Sequence, residues 1–217
     1  MTPSRANPAL LAAFGVALAV AILLTGPMLL FVPPVVSFEQ ARHDVPSLLG
    51  TNQATVDRAT GSMLGDLFTG GDFAVSIDRR GPVLDAAERS HMRDVGGVVR
   101  TLLAADLVAL AAALLLGRRL RNERHRRGRA MVLAASAIGA LAVLLGAVFA
   151  VAFDAAFTVF HGIFFPQGNW QFGPDSNLLR FFPEPLWFDL ALIAGGSIVV
   201  GALLVALLGR RDLRAGG

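Results

Sequence analysis

The alternation of charged and uncharged stretches divides this chain before anything else does. Residues 9–32 and 130–153 each run for 24 positions without a charge, longer than the roughly 20 apolar residues that carry a helix across the hydrocarbon core. Residues 190–209 give 20 more, and the 17 positions between Arg100 and Arg118 are interrupted only by Asp106. The pattern predicts four transmembrane helices, over 9–32, 96–117, 130–153 and 189–209, with outer loops at 33–95 and 154–188. Arg5 ahead of the first run gives it the look of a secretory signal. Its apolar stretch exceeds the usual roughly 7–15 residues, however, and no A-x-A-like site follows, so it reads as a retained helix.

Shorter patterns organise the first loop. Pro33 and Pro34 read as the end of the first helix, because proline lacks the amide donor and clashes with the preceding turn. Between Ala54 and Leu67, apolar positions Val56, Ala59, Met63, Leu64 and Leu67 recur at helical spacing, which predicts a short amphipathic helix lying on the bundle or the headgroups. TGGDFAVSIDRRGP, residues 69–82, reads as a turn, a short extended stretch and a second turn. Asp85 and Glu88 stand three apart like a capping box, so one helix can start there and continue unbroken into the second span as far as Arg118. At 1.5 Å per residue it outruns the bilayer core by roughly 20 Å.

Composition and charge add an orientation. The chain is 54% hydrophobic with a mean hydropathy of +0.61, and its cations are all arginine. Eleven of them, Arg5, seven between Arg118 and Arg129, and Arg210, Arg211 and Arg214, fall on one side of the predicted spans. By the positive-inside rule that side is cytoplasmic, with both termini there. The expected fold is an all-α membrane protein of four transmembrane helices, one integral membrane domain over 1–217, with an extracytoplasmic loop domain. The basic run RRLRNERHRRGR is a short connection between spans and reads as topology signal, not as a nucleic-acid patch. Absence of cysteine excludes disulfides, thiolate nucleophiles and cysteine-type zinc sites, so any chemistry falls to His, Asp, Glu, Ser or backbone groups.

The second loop is the least ordinary segment. FHGIFFPQGNWQFGPDSNLLRFFPEPLWFD, residues 160–189, holds seven phenylalanines, both tryptophans, four prolines and His161. Aromatic rings partition to the membrane interface, and the prolines and Gly168 turn the chain back, so the segment reads as a re-entrant aromatic cap walling a pocket open to the outer leaflet. Trp187 and Phe188, just before the fourth span, read as interfacial anchors. Counting helix rise outward from the arginines places the hydrocarbon boundary near Val98 and Phe149, which leaves His91 and His161 in one outer interfacial layer. His91, Val95, Val98, Leu102 and Asp106 share a helix face, expected to point into the bundle. His43 and His125 read as surface histidines.

The motifs SHMRDV ahead of the second span, and FHGIFF, NWQF and LLRFFPEPLWF ahead of the fourth, resemble a bacterial four-helix membrane family whose characterised members are lipoprotein intramolecular transacylases. The resemblance implies a reaction in which the sn-2 acyl chain of a lipoprotein's diacylglyceryl cysteine moves to that cysteine's α-amine, giving the lyso form. It implies His91 and His161 as the catalytic pair, a diacylated lipoprotein N-terminus and outer-leaflet lipid as partners, and no cofactor or metal. The expected enzyme is a monomer in the plasma membrane, with its active site at the extracytoplasmic face. Asp94, Asn169, Trp170, Gln171, Arg180 and Glu184 are the candidate substrate-binding residues. Asn169, Gln171 or an amide near Gly168 would hold an oxyanion. Asp94 would orient His91 or pair with Arg93 or Arg180, Glu184 would bind the amine or brace Arg180, and Asp106 would act functionally or pair with Ser136 or Thr101. Two other readings stay open: a lipid hydrolase with metal held by His91, Asp94, His161 and Glu184, and a non-catalytic membrane partner protein.

Overall fold

The computed structural model describes residues 7–77 and 81–216. In chain order the helices are α1 (Pro8–Thr25), a 3₁₀ segment (Gly26–Phe31), α2 (Pro33–Arg42), α3 (Val45–Leu48), α4 (Gln53–Thr69), α5 (Ala86–Arg119), α6 (Arg124–Val151), α7 (Phe153–Phe164), α8 (Asn177–Phe181) and α9 (Glu184–Ala215). Four of these stretches, Pro8–Phe31, α5, α6 and α9, are long and apolar enough to cross a membrane. The chain forms two compact units, each assembled from separated stretches of sequence. Arg5 and the predicted turn at 78–80 lie outside the described residues.

The first unit comprises Met1–Met28, Leu103–Gly146 and Ala194–Gly217. Its apolar centre is Ile22, Ala135, Ala142, Ile198 and Ala202. Contacts fix the directions of the helices. Phe14 lies against Gly117, and Thr25 bonds Asp106, so α1 and α5 run antiparallel. Ile22 lies by Gly201 and Gly26 by Ile198, while Gly128 lies by Gly209 and Gly139 by Ala202, so α9 opposes both α1 and α6. The start of α1, the end of α5, the start of α6 and the end of α9 therefore share one end of this unit. That end carries Arg118 to Arg129 and Arg210 to Arg214, as the positive-inside pattern requires. Arg127 Nε donates to Asp212 at 2.6 Å there, and its Nη1 to the Gly117 carbonyl at 3.2 Å.

Asp106 is buried at 3% exposure, and the hydroxyl of Thr25 meets its two oxygens at 3.0 and 3.2 Å. The expected partners were Ser136 or Thr101; Thr101 instead donates to the Gly97 carbonyl of its own helix.

The second unit comprises Leu29–Leu102 and Ala147–Ile193. Its core gathers Val36, Val56, Met63, Phe73, Leu84, Phe181 and Leu186 among others. The amphipathic helix read from spacing is α4, and Val56, Ala59, Met63, Leu64 and Leu67 are its buried face together with Thr60. Gln40 is fully buried and ties three helices, donating to the Phe181 carbonyl and accepting from Thr60. Asp85 and Glu88 form the capping box, each backbone amide donating to the other's carboxylate at 2.8 Å. No strand occurs among the described residues; the extended reading at 71–77 is coil, held by Phe73 N donating to Asp66 and Val83 N donating to the Val75 carbonyl.

The first span stops at Phe31, just ahead of Pro33 and Pro34 as expected, and these prolines also open α2, because proline at the first helical positions loses an amide that has no intrahelical partner anyway. One expectation needs correcting. His43 is not a surface histidine without partners: its Nε2 lies 2.8 Å from Asp189 and 3.9 Å from Glu39. Further, the aromatic segment is less broken than its composition suggests. Residues 160–164 finish α7, which is separated from α6 at Ala152 by a single non-helical residue.

Candidate active site

Both candidate histidines lie in the second unit, and the fold brings them together. His91 is on α5, one turn past its capping box, and His161 is in the last turn of α7. Their ring centroids are 6.2 Å apart with 29° between the planes. Of the stripe that begins at His91, both ends, His91 and Asp106, are buried, whereas Val95, Val98 and Leu102 are half-buried. The buried neighbours on α5 are Met92, Gly96 and Val99.

The aromatic segment supplies most of the walls, with Phe157 of α7 completing them. Phe165 and Phe172 stand edge-on to His91 at 4.8 and 5.6 Å. Phe157 and Trp170 lie against His161 at 4.0 and 4.8 Å. Of these rings only Trp170 was among the predicted site residues. A phenylalanine carries no chemistry to single it out in sequence.

Hydrogen bonding fixes one histidine's tautomer. His161 Nδ1 lies 2.8 Å from the Phe157 carbonyl, which can only accept, so Nδ1 carries the proton and Nε2 of the neutral ring keeps its lone pair. His91 Nδ1 is buried without a hydrogen-bond partner among the described residues. Both rings lie outside the predicted 96–117 and 130–153 spans. Burial is the main cause that pushes His91 down to about 4, with the neighbouring His161 adding to it and Asn169 and Asp94 opposing. Burial likewise lowers His161, against the Phe157 carbonyl. Two neutral imidazoles face each other at neutral pH.

Two carboxylates on α5 hold the aromatic segment against this helix. Asp94, three residues after His91, accepts from Asn169 at 2.7 Å and from Gln167 at 3.1 Å. Glu88, three residues before it, is 2% exposed and accepts from Ser176 Oγ at 2.5 Å and Leu178 N at 2.9 Å. Gly168 permits the intervening turn with a φ of 77°, a left-handed backbone that costs glycine little. Sequence reading credited Glu88 only with its capping role. Its second oxygen, unspent by the capping box, was the available signal.

The other predicted residues are placed differently. Arg180 pairs with Asn177 and Asp175, not with Asp94 or Glu184. Glu184, the first residue of α9, has its carboxyl held above the usual range by desolvation, then by the charge and hydrogen bond of Asp154. Gln171 is exposed. Among the described residues, the three side chains whose possible metal-ligand atoms lie within 4.8 Å of one another are Glu39, His43 and Asp189, not the four weighed from sequence. Arg42 Nη1 already sits between those carboxylates, 2.9 Å from Glu39 and 3.2 Å from Asp189.

Fold and sequence together define a multi-pass membrane protein of four apolar helices. Residues 11–187 match the family described as lipoprotein intramolecular transacylase Lit, and the chain belongs to that family. Its structure is similar to the in meso structure of the membrane integral lipoprotein intramolecular transacylase Lit from Bacillus cereus, with a TM-score of 0.85 and 17% identity over 95% of both chains. A histidine-to-alanine variant of that protein matches with a TM-score of 0.79, over 95% of this chain and 93% of that one. At this identity the likeness establishes the fold. An uncharacterized protein of Aquifex aeolicus strain VF5 is 30% identical over 80 residues, which span 36% of this chain and 37% of that relative.

Proposed function

We propose that this chain is an intramolecular O-to-N transacylase acting on diacylated lipoproteins at the extracytoplasmic face of the plasma membrane. The observation that carries the reading is the pairing of His91 with His161, 6.2 Å between centroids, with the His161 tautomer set to leave Nε2 as a proton acceptor.

In the proposed reaction the N-terminal amine of the diacylglyceryl cysteine attacks the sn-2 ester carbonyl. The C–N bond forms and the C–O bond to glycerol breaks; one amine proton passes to Nε2 of His161, and the glycerol oxygen gains one from the pair. Substrate and product are isomers, so no water, cofactor or second acyl donor enters. Such proton transfers contribute on the order of 100- to 10,000-fold. Holding amine and ester of one molecule in reach supplies a further positional advantage.

His161 acts as the base and His91 as the partner that shares the proton. Trp170 and the surrounding phenylalanines supply an apolar wall for acyl chains. Asn169, held by Asp94, is the side chain best placed to turn toward an oxyanion, with Gln171 at the exposed edge. Glu184 offers a carboxylate for the substrate amine, and Arg180 steadies the segment through Asn177.

The reading is tested with a synthetic diacylated lipopeptide carrying an isotope label in its sn-2 chain. The label is expected on the N-terminal amine, in a product of unchanged mass. Label released as free fatty acid would instead make the chain a hydrolase, and an unaltered lipopeptide would favour a non-catalytic partner protein.

A further inference from the structure

A second feature lies in the first unit, among residues the transacylase reading does not use. The parallel helices α1 and α6 border an open groove of about 550 Å³. Its apolar lining includes Leu11, Gly15 and Val16 from α1 and Leu133 from α6, and the first turns of α6 add His125, Arg126 and Arg129, which form its mouth. The groove is almost wholly apolar beyond that mouth.

The charges at the mouth oppose elementary helix electrostatics. The N-terminal end of a helix carries a partial positive charge and favours acids, yet the first turn of α6 has none and begins Arg124, His125, Arg126, Arg127. Arg126 and Arg129 are three apart, so two like charges are stacked on one face, with His125 four residues before Arg129. Arg127 has Asp212, and Arg126 has Glu123 at 3.5 Å. The positive-inside pattern explains arginines at this end, but it does not require them at the mouth of an apolar groove.

From this juxtaposition we infer that the groove between α1 and α6 is a binding site for an anionic phospholipid. One acyl chain lies along the apolar lining, and the phosphate sits against Arg126 and Arg129 beside His125. Basic pockets between membrane helices suit anionic headgroups, and each arginine near a headgroup contributes about 1 kcal/mol. Two arginines convert to a preference of roughly tenfold or more over a zwitterionic lipid of the same chains.

Native mass spectrometry of the full chain, equilibrated with equal amounts of phosphatidylglycerol and phosphatidylcholine, tests the inference. Wild type is expected to retain phosphatidylglycerol by roughly tenfold or more. Arg126→Gln with Arg129→Gln removes the preference. Gly15→Leu fills the groove and reduces phosphatidylglycerol retention without touching a charge; a Cβ at Gly15 meets nothing within 4 Å, so the helix accepts it. Equal retention of both lipids by wild type overturns the inference. So does a preference that survives Gly15→Leu, which would assign it to diffuse surface charge, or a dimer that Gly15→Leu dissociates, which would assign the groove to a second copy. Inorganic phosphate competing as well as the lipid would also overturn it, since the acyl chain would then contribute nothing.

Discussion

Asn169 donates its side-chain amide to Asp94 at 2.7 Å, joining the aromatic segment to α5 within one turn of His91. Gln167 donates to the same oxygen, so one carboxylate organises both polar residues of the turn. Removing the carboxylate by Asp94→Ala frees Asn169 and Gln167 together. Displacement of a positioned group by an ångström can cost up to about 100-fold in rate. The expected result is a large fall in acyl transfer with little change in thermal stability, because Asp94 and these partners are exposed or half-buried; a steady-state assay alongside a melting curve checks it.

Glu88 should behave oppositely in stability. It is buried and meets the Asp85 amide, the Ser176 hydroxyl and the Leu178 amide. Glu88→Ala leaves those donors unpaired, at about 1–3 kcal/mol for each buried group left without a partner. A lower melting temperature is expected, partly restored in Glu88→Gln, which keeps one acceptor oxygen. An unchanged melting temperature in Glu88→Ala would show that the pins contribute nothing.

The buried Asp106 carboxylate and the exposed Thr25 hydroxyl of the first unit give a cycle. Thr25→Val removes the hydroxyl that donates to Asp106, which should destabilise by about 1–3 kcal/mol. Replacing both with apolar residues, Thr25→Val with Asp106→Leu, should recover most of that loss, since no buried carboxylate is then left without a donor. Thermal unfolding of the single and double variants measures the difference.

The two histidines give the pH dependence. Both should titrate below 6.5, His91 near 4, in imidazole nitrogen NMR spectra. The native state resists their protonation while the unfolded chain accepts protons from about 6.5 downward, so stability declines as pH falls from there toward 4. In His161→Ala the midpoint of His91 should rise, because a neighbouring positive charge and part of its burial are removed. A midpoint that stays put would separate the two rings electrostatically.

Much of this architecture was legible because its causes are local. Charge-free runs mark the four apolar helices, and a capping pair three residues apart starts α5 where it was expected. The spacing of Val56, Ala59 and Met63 marks the buried face of α4. Hydrocarbon depth, counted in helix rise, put His91 and His161 in one layer, and they are found ring to ring. What was missed depends on contacts between distant residues. His43 meets Asp189 across 146 positions and Thr25 meets Asp106 across 81, and neither spacing leaves a periodic trace. Pro33 and Pro34 marked the end of the first span, but that they also begin α2 rests on the extended backbone at Val32, which the sequence does not display.

Tandem mass spectrometry of one lipopeptide shows whether His161 takes a proton from the substrate's amine with His91 as its partner. Purified wild type, His161→Ala and His91→Ala would each be incubated with the same diacylated peptide, and the fragments read for acyl on nitrogen against acyl on glycerol. Wild type should yield N-acylated, singly O-acylated peptide of unchanged mass, and each variant should be slower by about 100-fold or more. Acyl transfer at wild-type rates in both variants would contradict the account.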